Sequence, residues 1–182
     1  DQFLLGDEIL VAPICTETSR RTVYFPMGIW TDFRTNQVHA GRQTAEIEAP
    51  TGELPLFVRN GSILPLAGDE PGGPMILHYL PKLAAEFLLY EPDTYDYSQF
   101  HASPALDLMR LEIESRKART YEWIVHHLPE VREVRTGETV FTRVSEGRSL
   151  RPGAWYYDQE QTNLHVMVEV PASATRVTHI AF

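Results

Sequence analysis

Aspartate and glutamate together number 25 in this chain. Two carboxyl groups can cut an acetal bond when they are held about 5 Å apart, or further apart with a water between them. Asp7, Glu8, Asp32, Glu46, Glu48, Glu53, Asp69, Glu70, Glu91, Asp93 and Asp96 fall mostly at expected strand edges and turns, where exposure is the default. Nothing in their spacing pairs any two of them, so no catalytic residue is assigned to the chain. Serine chemistry needs a Gly-x-Ser-x-Gly elbow, which the sequence lacks. Cys15 lies in the apolar run Ile9-Leu10-Val11-Ala12-Pro13-Ile14-Cys15 and reads as a buried small residue rather than a reactive thiol.

Metal and phosphate chemistry fare no better. His126 and His127 would point to opposite faces of a strand and could not hold one ion together, so they read as solvated edge residues. The best local candidate for calcium or a sugar is Tyr90-Glu91-Pro92-Asp93-Thr94-Tyr95-Asp96-Tyr97, where oxygen ligands and rings lie close in sequence. It lacks the spacing of a calcium loop, and a polar turn capped by core tyrosines is the simpler reading. Pro71-Gly72-Gly73-Pro74 is too proline-stiffened to cradle phosphate and leads into a strand, not a helix. No metal site and no cofactor site is expected.

The elements that would position these groups are strands. Strict alternation of apolar and polar residues marks a half-buried strand, and it is clean over Leu164 to Val170, Met109 to Glu114 and Tyr121 to His126. Shorter candidates are Glu8 to Ile14, Arg21 to Phe25, Thr44 to Ala49, Leu54 to Arg59, Ser62 to Ala67, Met75 to Leu80, Ala85 to Tyr90, Val140 to Val144, Ala154 to Asp158 and Arg176 to Phe182. Asn60-Gly61 between apolar runs signals a hairpin, because both residues tolerate positive φ. With 13 prolines and 11 glycines few windows can hold a helix, and Pro81 to Glu86 is the best short one. The expected fold is all-β, with two small antiparallel β-sandwich domains in tandem. Ala67 to Pro74 reads as the linker, giving domains 1–73 and 74–182, with Trp30 and Phe57 in the core of the first. The cluster Arg116, Lys117 and Arg119 reads as a solvated turn.

Composition narrows the partners. A net charge of -9, with basic residues scattered along the 182-residue chain, offers no positive face for nucleic acid. No apolar run approaches the roughly eighteen residues of a membrane helix, so a soluble chain is expected and its compartment stays open. Opening at Asp1, almost directly into an apolar run, the chain reads as an excised piece of something longer.

Gln2 to Ile14 resembles the segment that leaves the catalytic barrel of family 31 glycoside hydrolases and enters the next β-domain. Arg21 to Phe33 resembles the family's following strand, Pro-x-Gly turn and Trp-x-Asp-Phe strand, and Leu54 to Leu66 is similar to its third stretch. Phe87-Leu88-Leu89-Tyr90-Glu91 is similar to the opening of the family's distal C-terminal β-domain, with Pro92 where a second acid is usual and no glycine following. The resemblance implies a parent α-glycosidase acting on α-glucosides or α-xylosides through two aspartates of an upstream (β/α)8 barrel, without a cofactor. No Trp-x-Asp-Met-Asn-Glu string is present, so the catalytic aspartates are expected outside this chain. It would then be a non-catalytic accessory region, with that barrel as its partner and carbohydrate reached only through the parent. The alternative is a carbohydrate-binding module that uses Trp30, Tyr95, Tyr97, Trp155, Tyr156 and Tyr157, with Trp155 or Tyr156 on an outer face and core packing as the plainer role for these rings.

Overall fold

The computed structural model describes residues 1–15, 18–50, 52–68 and 70–182. The chain divides into two compact units, Asp1–Ser62 and Ile63–Phe182.

In the first unit, β1 (Phe3–Leu5), β2 (Ile9–Val11), β3 (Arg20–Phe25), β4 (Ile29–Asp32), β5 (Val38–Ala40), β6 (Gln43–Glu48) and β7 (Leu56–Arg59) form two sheets. Five strands run in the order β1-β2-β7-β4-β5, and β3 pairs with β6 as a separate antiparallel ribbon. Alternation decides which faces are buried: Val23 and Phe25 of β3 and Ile47 of β6 turn inward, while Arg20, Thr22 and Tyr24 stay exposed. They join Leu10, Trp30 and Phe57 in one core. Trp30 and Phe57 are both 0% exposed. Phe25 meets Phe57 edge to face at 4.9 Å, and the Trp30 indole donates to the Pro26 carbonyl at 2.9 Å, so the ring is buried without an orphaned donor.

A tight crossing supports this core. The Gly41 amide donates to the Gly28 carbonyl at 2.8 Å, and a Cβ placed on Gly41 would lie 2.2 Å from the Pro26 carbonyl oxygen and 2.6 Å from the Gly28 nitrogen. Backbone cannot yield as a side-chain tip can. Gly41→Ala is therefore expected to cost about 1–3 kcal/mol in a denaturant melt, the range for forced overpacking. An unchanged midpoint would mean the two turns can separate freely.

In the second unit, β8 (Ser62–Leu66) starts at the boundary and is followed by β9 (Met75–Leu80), β10 (Ala85–Glu91), β11 (Asp96–Pro104), β12 (Leu108–Ser115) and β13 (Arg119–Val125). Then come β14 (Glu133–Thr136), β15 (Thr139–Val140), β16 (Thr142–Arg143), β17 (Ala154–Asp158), β18 (Asn163–Val170) and β19 (Ala174–Ala181). One six-stranded sheet has the order β10-β11-β12-β19-β14-β15, and the other β16-β17-β18-β13-β9-β8. Their inner faces share a core. Phe100, Met109, Leu111, Ile113 and Ile180 come from the first sheet, and Leu77, Tyr121, Trp123, Val125, Leu164 and Val166 from the second. Each such side chain contributes roughly 1.5–3 kcal/mol through burial. This unit is a β-sandwich, mostly antiparallel, with β9 parallel to β13 and β16 parallel to β17.

The structure departs from the sequence reading in three places. Pro81 to Glu86 is not helical; Lys82 and Leu83 form a bend before β10, and the Leu83 carbonyl accepts the buried Tyr79 hydroxyl at 2.8 Å. Among the described residues there is no α-helix, only one 3-10 turn at Gly147–Ser149. Asn60-Gly61 does turn the chain, with Gly61 at φ 96°, but β7 and β8 enter different sheets and form no hairpin. Asn60 is held toward β4 instead, since its amide donates to the Ile29 carbonyl and its side-chain oxygen accepts from the Thr31 hydroxyl, both at 2.8 Å. Finally, the division between the units precedes the stretch 67–74, because β8 already pairs into the second unit's sheet. Asp69, within that stretch, lies outside the described residues.

Candidate functional site

The β10 alternation that turns Phe87 and Leu89 toward the core also turns Glu91 inward, leaving it 2% exposed. A buried carboxylate needs partners, and it has them. Arg119, at the start of β13, donates through Nη1 to Oε1 at 2.6 Å and through Nη2 to Oε2 at 2.9 Å, and the Ser98 hydroxyl donates to Oε1 at 2.9 Å. Lys117 Nζ lies 3.4 Å from Oε2 and also donates to Asp93. Burial pushes the Glu91 carboxyl up, but the hydrogen bonds from Arg119 and Ser98, the Arg119 charge and Lys117 outweigh it and hold the group below the usual carboxylate range. Arg116 completes the array, 2.9 Å from Glu114 and 2.8 Å from Asp96, the latter an ion pair without hydrogen-bond alignment.

The basic cluster is thus not a solvated turn but the counter-charge of the acidic turn. Two segments of opposite sign, on loops of neighbouring strands, were each legible in the sequence; the pairing between them was not, because it depends on register.

A second polar cluster lies on the β9-β13-β18 sheet. His78 and Ile124 are opposite each other across the β9 and β13 pair, and Ile124 and His165 across β13 and β18, which places the two histidines on one row. His78 Nδ1 is 3.0 Å from His126 Nε2, and His165 Nδ1 is 2.8 Å from Glu122 Oε1. Burial and the His165 charge lower the His78 pKa to about 4, against an opposing pull from Glu122. Burial, then His78, His127 and His165, lower His126 to about 3. His126 is therefore a buried neutral ring rather than a solvated edge residue. It and His127 follow β13 instead of lying within it, and His127 has φ 53°, so strand alternation does not apply to the pair. Among the described residues no group of three or more His, Cys, Asp or Glu is placed to hold a metal ion.

The remaining candidates separate by exposure. Trp30 and Trp155, at 0% and 3% exposed, are core residues, and Tyr156 and Tyr157 are half-buried, with the Tyr157 hydroxyl donating to the Leu128 carbonyl at 2.7 Å. Tyr90, Tyr95 and Tyr97 are exposed, not core caps. Asp32 is buried, its Oδ1 accepting from the Arg34 and Thr35 amides at 2.9 and 3.0 Å, which makes it a turn-former. Cys15 is exposed, since β2 ends at Val11 before the apolar run does. An open groove of about 750 Å³ is lined by Glu70, Pro71, Gly73, Arg119, Thr120 and Glu169. Arg119, its most basic group, is already spent on Glu91. Among the described residues no helix is long and apolar enough to cross a membrane.

Against known proteins, residues 1–64 match the glycosyl hydrolase family 31 C-terminal domain. The match covers 64 of the chain's 182 residues. Its motif segments 2–14, 21–33 and 54–66 fall on β1 and β2, on β3 and β4, and on β7 and β8. The chain is 34% identical to alpha-glucosidase 2 of Bacillus thermoamyloliquefaciens over 122 residues, 63% of this chain and 15% of that protein. It is 27% identical to the isomaltosyltransferase of Sporosarcina globispora over 192 aligned residues, 97% of this chain and 18% of that one. In fold, the whole chain superposes on 26% of the Flavobacterium johnsoniae GH31 dextranase solved with glucose, with a TM-score of 0.83 at 21% identity. The matched stretches span less than a fifth of the length of these curated relatives.

Proposed function

We propose that the chain is the non-catalytic C-terminal accessory region of a larger family 31 glycoside hydrolase. The observation that carries this reading is the family match at residues 1–64, joined to a fold likeness over the full chain that takes up only 26% of a solved family 31 enzyme. The parent would hydrolyse α-glycosidic bonds in α-glucosides or α-xylosides, substrates in keeping with relatives named as alpha-glucosidase and alpha-xylosidase. A carboxylate of the upstream (β/α)8 barrel would attack the anomeric carbon while a second donates a proton to the leaving oxygen; water would then release the sugar with retention. In this chain the most buried carboxylates, Asp32 and Glu91, are consumed by backbone amides and by Arg119. No catalytic, cofactor or metal residue is assigned here.

The purified chain should release no product from maltose, isomaltose, or nitrophenyl α-glucosides and α-xylosides at any pH, while a longer protein that restores the barrel should turn over at least one of them. Turnover by the chain alone that survives repurification and is abolished by Glu70→Gln or Glu169→Gln, the two groove carboxylates, overturns the reading.

A further inference from the structure

The outer face of the β10-β11-β12 sheet carries two rings and a leucine that the core leaves unused, beside the edge of the ion cluster. Tyr90 and Tyr97 sit directly opposite each other across β10 and β11, 48% and 46% exposed, with ring centroids 5.4 Å apart and planes tilted by 56°. Leu88, 51% exposed, pairs with Gln99, and Gln99 pairs in turn with Glu114 of β12. Arg116 holds Glu114 on one side and Asp96 on the other. Two half-exposed rings are thus bordered by an amide, two carboxylates and a guanidinium, all planar groups able to bond two adjacent hydroxyls at once.

We propose that this face is a non-catalytic carbohydrate-binding site, and that its ligand is a curved α-linked glucan. The C–H face of a pyranose packs on an aromatic ring, and its equatorial hydroxyls reach planar donors and acceptors at the ring's margin. Both requirements are met here on adjacent strands. Each tyrosine leans on the other, and the ion cluster pins the turn beyond them, so little ordering is left to offset on binding.

Ring geometry selects the class of glucan. A β-1,4-linked chain is a flat ribbon and needs coplanar rings a disaccharide repeat apart. Rings tilted by 56° with centroids 5.4 Å apart cannot lie under a flat ribbon, but they follow consecutive residues of a chain that turns. Size argues against a protein partner. Two rings and a leucine fall well short of the roughly 20 residues a side that a specific protein interface uses.

The site stands on this chain alone and does not depend on the catalytic reading of the parent. The test is affinity electrophoresis of the 182-residue chain through gels containing dextran, amylose or hydroxyethylcellulose, with calorimetric titration of whichever polymer retards it. Retardation by an α-glucan but not by hydroxyethylcellulose is expected, with affinity falling about fivefold or more in Tyr90→Ala and in Tyr97→Ala, the loss of one stacking ring. Unchanged melting curves would show that both variants still fold. Migration unaffected by every polymer, equal retardation by the β-glucan, or retention in the double tyrosine variant each overturns the proposal. Failure here leaves the hydrolysis assay of the parent untouched.

Discussion

Arg119→Met is expected to lower the stability of the second unit by up to about 3–5 kcal/mol, because it leaves the buried Glu91 carboxylate with only the Lys117 ammonium, 3.4 Å away, and the Ser98 hydroxyl as partners. Both guanidinium arms reach Glu91, at 2.6 and 2.9 Å, a two-pronged contact that the single Lys117 ammonium at 3.4 Å does not reproduce. Replacing the two partners together, as Glu91→Leu with Arg119→Met, should cost much less than the single change, since neither charge is then stranded. A single and a double variant of equal stability would show that Glu91 is solvated after all. The pH dependence gives a second check. Glu91 has a folded pKa below its unfolded value near 4.3, so the native state binds fewer protons there. Its contribution is fully present above that unfolded value and is lost as pH falls through the lower folded one. The gap between the wild type and Glu91→Gln should therefore close as the solution is acidified below about pH 4.

Acidification from pH 6.5 to 4 should already have cost about 3–5 kcal/mol before that, through His78 and His126. Their folded values of about 4 and about 3 lie below the unfolded histidine value. Across that window the unfolded chain binds more protons, so stability rises with pH and is lost as pH falls. The two rings are 3.0 Å apart and titrate as a pair, which makes their joint effect smaller than the sum of two independent shifts. The charges of His165, Glu122 and His127 also act on the pair. Denaturant melts at pH 7, 5.5 and 4.5 should give a steep slope for the wild type and a shallow one for His78→Gln with His126→Gln. Parallel slopes would exclude the pair as the source. The histidine window lies above the carboxylate window, so the two effects can be read from one pH series.

Much of this architecture is written in local pattern. Leu164 to Val170, Met75 to Leu80 and Ala154 to Asp158 fold as the strands their residues announce, because side-chain period alone decides which face is buried. The nine-residue β11 was hidden, because its opening Asp96-Tyr97 looks like the tail of a polar turn and only pairing with β10 and β12 reveals it as a strand. The Glu91 cluster and the histidine row were illegible for a related reason. Each joins residues far apart in the chain, Glu91 with Arg119 and His78 with His126, and no local window contains both members. Cys15 and Asn60-Gly61 show the opposite limit, where a strong local signal is overruled by where a strand stops and by which sheet it joins. The aromatic residues divide on the same principle. Trp30 is core, as its strand announced, and Trp155, a candidate for an outer face, is core as well, while Tyr90, read as a core cap on an acidic turn, is on the open face.

The position of β8 bears on how this sequence can be divided. In its sheet β8 covers the outer side of β9, whose other neighbour is β13. A fragment beginning at Pro74 would discard β8 and leave the Met75–Leu80 backbone with a row of unpaired amides and carbonyls beside Ile76 and Leu77. Such a bare strand is a template for self-association. The excised sandwich stays guarded against aggregation only when the cut is made ahead of Ser62, so that the protecting strand travels with it.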